Sequence, residues 1–313
     1  MAHCPVEILL PTYNGGRHIT ALLESLCNQT FGDFTLLTRD DGSADDTLDR
    51  TDAFSSRLHI VRLENTGGIN LGVIKSFELL ISHSTAELLF FCDQDDLWNS
   101  SKCERMVDRY LDNKVRYGTM PMLFFSDCEV IDGSDAPVGD SFLAINNVNT
   151  ACISDPYYLT MKNPAPGCTM AANRSLARAS VPFPDATFMH DWWMILDASL
   201  CGRIVFLNER LVRYRIHTTN TLGITPDRQR RFFALFSYWC NPDRLADSIG
   251  QHKKHIRQGK AVFRKNGRRF SVFYYLLKVI SGRLVMPRVV RWTGRGTRYS
   301  WVAPPRHGNK NRA

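Results

Sequence analysis

Three carboxylates within four positions, Asp93, Asp95 and Asp96 in "FFCDQDDLW", follow directly on an apolar run. Like charges repel, so the cluster calls for a positive partner. A helix N-terminus, where an Asp caps free N–H groups, accounts for one of them, and Asp96 is the candidate. A hard divalent cation accounts for the others. Mg2+ or Mn2+ takes oxygen ligands, typically one or two carboxylates together with substrate phosphates. A second acidic turn, "RDDGSADDT" (39–47), offers Asp41 as an acceptor for a base N–H or a sugar hydroxyl. Its plainer reading is an Asx-type turn with Gly42. Tyr13 in "PTYN" offers a ring face for a base. Asp191 in "HDWW" stands at a helix start, either as a cap or as a general base. Trp192 and Trp193 are core residues or a sugar platform, with one of the pair packing inward.

Alternating elements must bring these groups together. "VEILL" (6–10), ended by Pro11, reads as a buried strand, and "RHITALLESLCNQT" places Ile19, Leu22, Leu23 and Leu26 at helical spacing. "FTLLTRD" (34–40) is a second strand, and "SADDTLDRTDAF" opens a helix with Ser43 as its N-cap. "RLHIVRL" (57–63) is a third strand. The helix in "GGINLGVIKSFELLIS" carries Ile69, Val73, Phe77 and Leu80 on one face. "AELLFFC" (86–92) is a fourth strand, followed by helix "SKCERMVDRYLDN". Four such units predict an α/β fold, a mostly parallel Rossmann-like sheet with helices on both faces. Ligands bind such sheets outside the carboxyl ends of the strands, so "PTYN", "RDDGS" and "DQDD" should crowd one edge. Further on, "MPMLFFSDCEVID" (120–132) and "GCTMAANRS" (167–175) read as strands and "DWWMILDASLCG" (191–202) as a helix closed by Gly202. "RIVFL" and "ERLVRYRIH" read as a final strand pair.

Composition narrows the classes. The chain has 313 residues, 44% hydrophobic and 22% charged, enough for a sizeable core. Its nine cysteines are scattered without a CxxC pair, so a reducing compartment without disulfides is expected. "MAHCPVEILLPTYN" lacks the features of a signal peptide, and no apolar run is long enough to span a bilayer. The net charge of +8 hides an asymmetry: residues 251–313 hold 17 Lys and Arg and no Asp or Glu, while the first 250 carry a net −9. A basic tail on an acidic body suggests a polyanionic surface, either anionic lipid or nucleic acid. The mixed aromatic and basic stretch around 270–280 fits an interfacial helix. Neither a GxGxxG nor a Walker A pattern occurs. A nucleotidyltransferase would show a basic Gly-rich loop after the first strand, where this chain has "PTYNGG". A nucleic-acid-binding protein using the basic tail is the alternative of another class. It has no RRM, KH or zinc-finger pattern behind it, so no nucleic acid is expected.

"VEILLPTYNGGRHITALLESLCNQTF", "LLTRDDGSADDT", "ENTGGINLGVIKSF" and "FFCDQDDLW" together resemble family 2 glycosyltransferases, over about Val6–His217. "FSDCEVID", "PGCTM", "HDWWM" and "YRIHTTNT" look most like the bacterial rhamnosyltransferase branch. The resemblance implies a GT-A domain over residues 1–225, with a nucleotide-sugar half to about 115 and an acceptor half after it. A basic helical extension over 226–313 follows. It implies an inverting, metal-dependent transfer, with rhamnose from dTDP-L-rhamnose as donor and a UDP-hexose as the alternative. The acceptor would be a saccharide, lipid-linked, in cell-surface polysaccharide (O-antigen or capsule) synthesis. Pro11, Tyr13, Asn14, Asp41 and Asp93 would bind the donor. Asp93 and Asp95, as the DxD pair, and His217 would contact the metal or diphosphate. Asp191 would be the base and Trp192 and Trp193 would face the acceptor. Where the family often carries an Ala-Arg pair, this chain has "GGINLGVIK", so Lys75 is assigned the cation near the phosphates. The expected location is cytoplasmic, the tail holding the protein on the anionic inner face of the cytoplasmic membrane.

Overall fold

The computed structural model describes residues 4–65, 68–216 and 242–281. In chain order the first half contains β1 (Val6–Thr12), α1 (Gly16–Cys27), β2 (Phe34–Asp40), α2 (Thr47–Asp52), β3 (Ile60–Leu63), α3 (Val73–His83), β4 (Leu88–Phe91), β5 (Leu97–Trp98) and α4 (Lys102–Tyr117). Then come β6 (Met122–Ile131), β7 (Pro137–Gly139), α5 (Phe142–Ile145), α6 (Pro156–Met161), β8 (Met170–Asn173), α7 (Arg174–Ser180), α8 (His190–Cys201) and β9 (Arg203–Arg215). The helices α9 (Pro242–Lys265) and α10 (Val272–Ser281) follow.

One sheet runs in the order β3-β2-β1-β4-β8-β6-β9-β5, with β7 on β6. The pairs β3–β2, β2–β1, β1–β4 and β6–β9 are parallel, while β8 is antiparallel to both its neighbours. Most strands therefore point the same way, as four βα units require. Reversed β8 has a positional consequence. Its amino end, preceded by a 3-10 turn at Gly167–Thr169, arrives at the same edge as the carboxyl ends of β1, β2 and β4. The core is built from strand faces and the apolar sides of α1 and α4, with β4 buried along its whole length.

Several elements depart from expectation for local reasons. β1 continues through Pro11 to Thr12. The missing N–H of Pro11 costs no rung, because β4 pairs with β1 only as far as Leu9 opposite Phe91. Helix α2 starts at Thr47, and Ser43 does not cap it: the Ser43 hydroxyl donates to Asp40 Oδ1 at 2.6 Å. Ile69 lies before α3 and is exposed, not on the helix face. The expected strand pair after Gly202 is one strand, β9, whose extra residues are taken up by irregular register opposite Ser126–Cys128.

No disulfide joins the described cysteines. Among the described residues no helix is long and apolar enough to cross a membrane. Residues 1–270 form one compact unit and 271–313 a second. Helix α9 belongs to the first and packs on α6 and α8. In the second, α10 exposes Phe273 and Leu276, and the Lys278 ammonium lies 5.6 Å from the Tyr274 ring centre.

Candidate active site

The chain leaves β4 at Phe91, and the next residues form the acidic floor of the sheet edge. Carboxylate oxygens of Asp93 and Asp96 and the Cys168 sulfur lie within 4.8 Å of one another. Asp96 is not a helix cap. Its side chain turns into the core, where Oδ1 accepts the Arg215 main-chain N–H at 2.7 Å and Oδ2 has no partner. Burial, then the charges of Asp95 and Asp93, raise the Asp96 carboxyl well above its ordinary range. Burial likewise keeps the Cys168 thiol protonated. Burial, then Asp95 and Asp191, raise Asp93 to about 7. Asp191 approaches the same place from α8: a Cβ on Gly167, the residue before Cys168, would lie 3.8 Å from the Asp191 Cβ.

Asp191 sits in the first turn of α8 and is nearly buried. Asn163 Nδ2 donates to its Oδ2 at 2.9 Å, and the Trp192 N–H donates to its Oδ1. Burial outweighs these bonds and raises its carboxyl to about 6. The preceding His190 is stacked on Phe77, with 3.9 Å between ring centres, and neither of its ring nitrogens has a partner. Burial pushes its pKa down to about 3, so a neutral ring backs the site.

Two buried cations that sequence reasoning missed brace the acidic edge through main-chain carbonyls. Lys102, at the start of α4, is fully buried; its Nζ donates to the Cys168 carbonyl and lies 3.1 Å from the Trp98 ring centre. A lysine at a helix N-terminus is disfavoured by the dipole, and that mismatch in "NSSK" was the readable signal. Burial lowers its pKa to about 8. Arg215, at the end of β9, is buried and donates from Nε to the Asp95 carbonyl at 2.7 Å. Its guanidinium also pairs with Asp135.

The remaining site residues are placed as follows. Pro11 is buried inside β1, and Tyr13 projects half-exposed from its end. Asn14 has a left-handed backbone (φ 48°), and its Oδ1 accepts the Ala44 N–H at 2.8 Å. Asp41 pairs with Arg39 and accepts the N–H groups of Leu71 (2.8 Å) and Gly72 (2.7 Å). Asp40 holds Thr12, Gly42 and Ser43, and Asp45 holds Gly16 and Thr47. The acidic turn therefore folds the loop first. Lys75 is on the exposed side of α3, where Nζ pairs with Glu78 at 2.9 Å. The platform reading of the tryptophans is corrected: both are buried, Trp192 Nε1 donating to the Leu159 carbonyl and Trp193 Nε1 to that of Ser180. Trp192 also packs on Phe188 and His255, and the Lys265 ammonium lies 5.6 Å from the Trp193 ring centre. His217 lies outside the described residues.

The donor set suits a hard cation. Asp93 and Asp95 are both partly exposed and carry the oxygen ligands such a cation takes, whereas Asp96 and the Cys168 thiol, which cluster with Asp93, are buried.

Residues 7–126 match the family described as Glycosyl transferase family 2. The chain carries a family 2 glycosyltransferase domain with the GT-A fold and is a glycosyltransferase. It is 26% identical over 207 residues to the UDP-Glc:alpha-D-GlcNAc-diphosphoundecaprenol beta-1,3-glucosyltransferase WfgD of Escherichia coli, covering 64% of this chain and 74% of that protein. Among solved structures it is similar to S. aureus TarS 1-349 in complex with UDP-GlcNAc, with a TM-score of 0.52 at 19% identity, over 74% of this chain and 65% of that one. It is also similar to the mannosyltransferase PcManGT from Pyrobaculum calidifontis in complex with GDP-Man and Mn2+, with a TM-score of 0.51 at 15% identity, over 90% of this chain and 81% of that one.

Proposed function

We propose that the protein transfers a sugar from a nucleoside diphosphate to a hydroxyl of a saccharide acceptor, with inversion, in cell-surface polysaccharide synthesis. The observation that carries this reading is that Asp191 lies against Gly167 and Asp93 beside the next residue, Cys168, which brings both carboxyls to one sheet edge. Asp93 and Asp95 would hold a divalent cation, Mg2+ or Mn2+. When bound, that cation neutralises the charge left on the departing diphosphate. Asp191, poised near neutral pH, takes the proton of the attacking hydroxyl. The Tyr13 ring receives the base, while Pro11, Asn14 and Asp41 shape its pocket. Lys75, whose ammonium pairs with Glu78 on α3, is assigned to the phosphates, and His217 to the metal or diphosphate.

The motifs "DQDDLW" and "HDWW" favour dTDP-L-rhamnose as donor, while the E. coli relative is named for UDP-Glc. The same relative is named for a diphosphoundecaprenol acceptor, which supports a lipid-linked saccharide here. Such an acceptor requires work at a membrane surface, and the 17 basic residues after 250 fit an anionic cytoplasmic face. The test is a panel of nucleotide sugars with Mn2+ and a prenyl-diphosphate-linked saccharide, read as released nucleoside diphosphate. Release from no member of the panel overturns the reading.

A further inference from the structure

Backbone pairing between β1 and β4 stops early. The last rung is Cys92 N–H to the Leu9 carbonyl at 3.0 Å; Pro11 has no N–H, and the Thr12 carbonyl accepts from Asp41 instead. Beyond that point the loop carrying Tyr13 and the loop carrying Asp93 and Asp95 have no main-chain bond in common among the described residues. One side chain bridges them. Gln94 Oε1 accepts the Tyr13 N–H at 2.9 Å, and Gln94 Nε2 donates to the Tyr13 carbonyl at 2.9 Å. A primary amide carries a donor and an acceptor side by side, as a peptide group does, so Gln94 supplies the rung the backbone cannot. Gly15 leaves room for it: a Cβ there would fall 2.4 Å from Gln94 Oε1. The neighbouring N–H groups are held as well, Asn14 by Ser43 Oγ and Gly15 by Thr47 Oγ1. Those anchors tie the loop to the β2 side, and Gln94 alone among the described bonds of Tyr13 ties it to the acidic loop.

We propose that Gln94, between the two cleft carboxylates, is a positioning residue that fixes Tyr13 to the diphosphate-binding loop, so that base recognition and diphosphate capture act as one unit. This rests on the reading of Tyr13 as the base contact. Neither neighbouring residue type can replace the amide. Asparagine is one methylene short, and glutamate offers only acceptors, setting a carboxylate against the Tyr13 carbonyl.

Isothermal titration of UDP and of dTDP with Mn2+ into the full chain tests it. Gln94→Ala and Gln94→Glu are expected to weaken binding of the better nucleotide about tenfold. Gly15→Ala, which keeps Gln94 but displaces its amide, should do the same with an unchanged melting temperature. The deciding readout is the cycle with Tyr13→Ala: once Tyr13 is gone, Gln94→Ala should cost less than twofold more. Additive losses, or wild-type affinity in Gln94→Ala, overturn the coupling alone. Wild-type affinity in Tyr13→Ala overturns the base-contact reading and this proposal with it.

Discussion

Arg215 and Asp96 are joined main chain to side chain, the Arg215 N–H donating to Asp96 Oδ1 at 2.7 Å, while the Arg215 guanidinium returns to the Asp95 carbonyl at 2.7 Å. One residue of β9 thereby holds two successive residues of the acidic loop from opposite ends. Asp96 is locked into the core and Asp95 stays partly exposed. The division of labour within "DQDD" is set by a strand 120 residues away in the chain.

That lock should be measurable. Arg215→Ala leaves a cavity and an unpaired buried carbonyl, a loss of about 3 kcal/mol. Chemical denaturation would show it as a lower midpoint with an unchanged slope. Nucleotide binding with Mn2+ should fall along with stability, because the acidic loop loses its anchor.

Asp95 and Asp96 should respond oppositely to neutral substitution. Asp96 is buried with its carboxyl raised well above the ordinary range, so Asp96→Asn removes a charge that burial disfavours and keeps the side chain's shape. Its stability change should stay within about 1 kcal/mol. Asp95→Asn removes a charged ligand and should abolish the Mn2+ dependence of UDP or dTDP binding by calorimetry. Equal losses from the two substitutions would contradict this placement.

Asp191 gives the pH dependence. A general base works as the anion, so turnover should be full above about pH 6 and fall about tenfold per unit below it. The stability sign is the reverse. The folded-state pKa lies above the unfolded value of 3.8, so the cost of burying the charge is present above pH 6. It is relieved as the pH falls through 6 toward 4. Asp191→Asn should cut turnover by a factor of about 10² to 10⁴ with nucleotide affinity unchanged, and should raise stability at pH 7.5.

What the sequence revealed followed from local signals. Apolar runs bounded by Gly, Pro and Asp make β1, β2, β4 and β6 readable, and the carboxyl ends of β1, β2 and β4 put Tyr13, Asp41 and Asp93 at one edge. What stayed hidden depends on partners distant in the chain. Nothing near Asp96 says that Arg215 will draw it inward, and nothing in "HDWW" says that Ser180 and Leu159 will take the indole N–H groups of Trp193 and Trp192. Lys102 was legible only as an oddity, a cation at a helix start.

The last prediction concerns α9, which is basic enough to pass for a solvated tail yet is anchored to the catalytic unit. Asp197 of α8 is fully buried and accepts from Ser180 Oγ (3.0 Å) and Asn266 Nδ2 (2.8 Å) and pairs with Lys265. Lys265→Met would leave that carboxylate without its cation. A fully buried pair broken this way loses about 3–5 kcal/mol, but Lys265 is one-third exposed, so about 2 kcal/mol is expected. The double variant Lys265→Met with Asp197→Asn should recover most of it. Truncation ahead of α9 would also strip the cover from Trp192 and Tyr157, which touch His255 and Phe263. A membrane role for the tail is therefore better tested by charge reversal than by deletion. Replacing Arg264, Arg269 and Lys278 by Glu should release the protein from phosphatidylglycerol vesicles in a sedimentation assay, while its melting temperature stays near that of the parent. Sedimentation equal to that of the parent would remove the membrane reading and leave the saccharide-transfer reading standing.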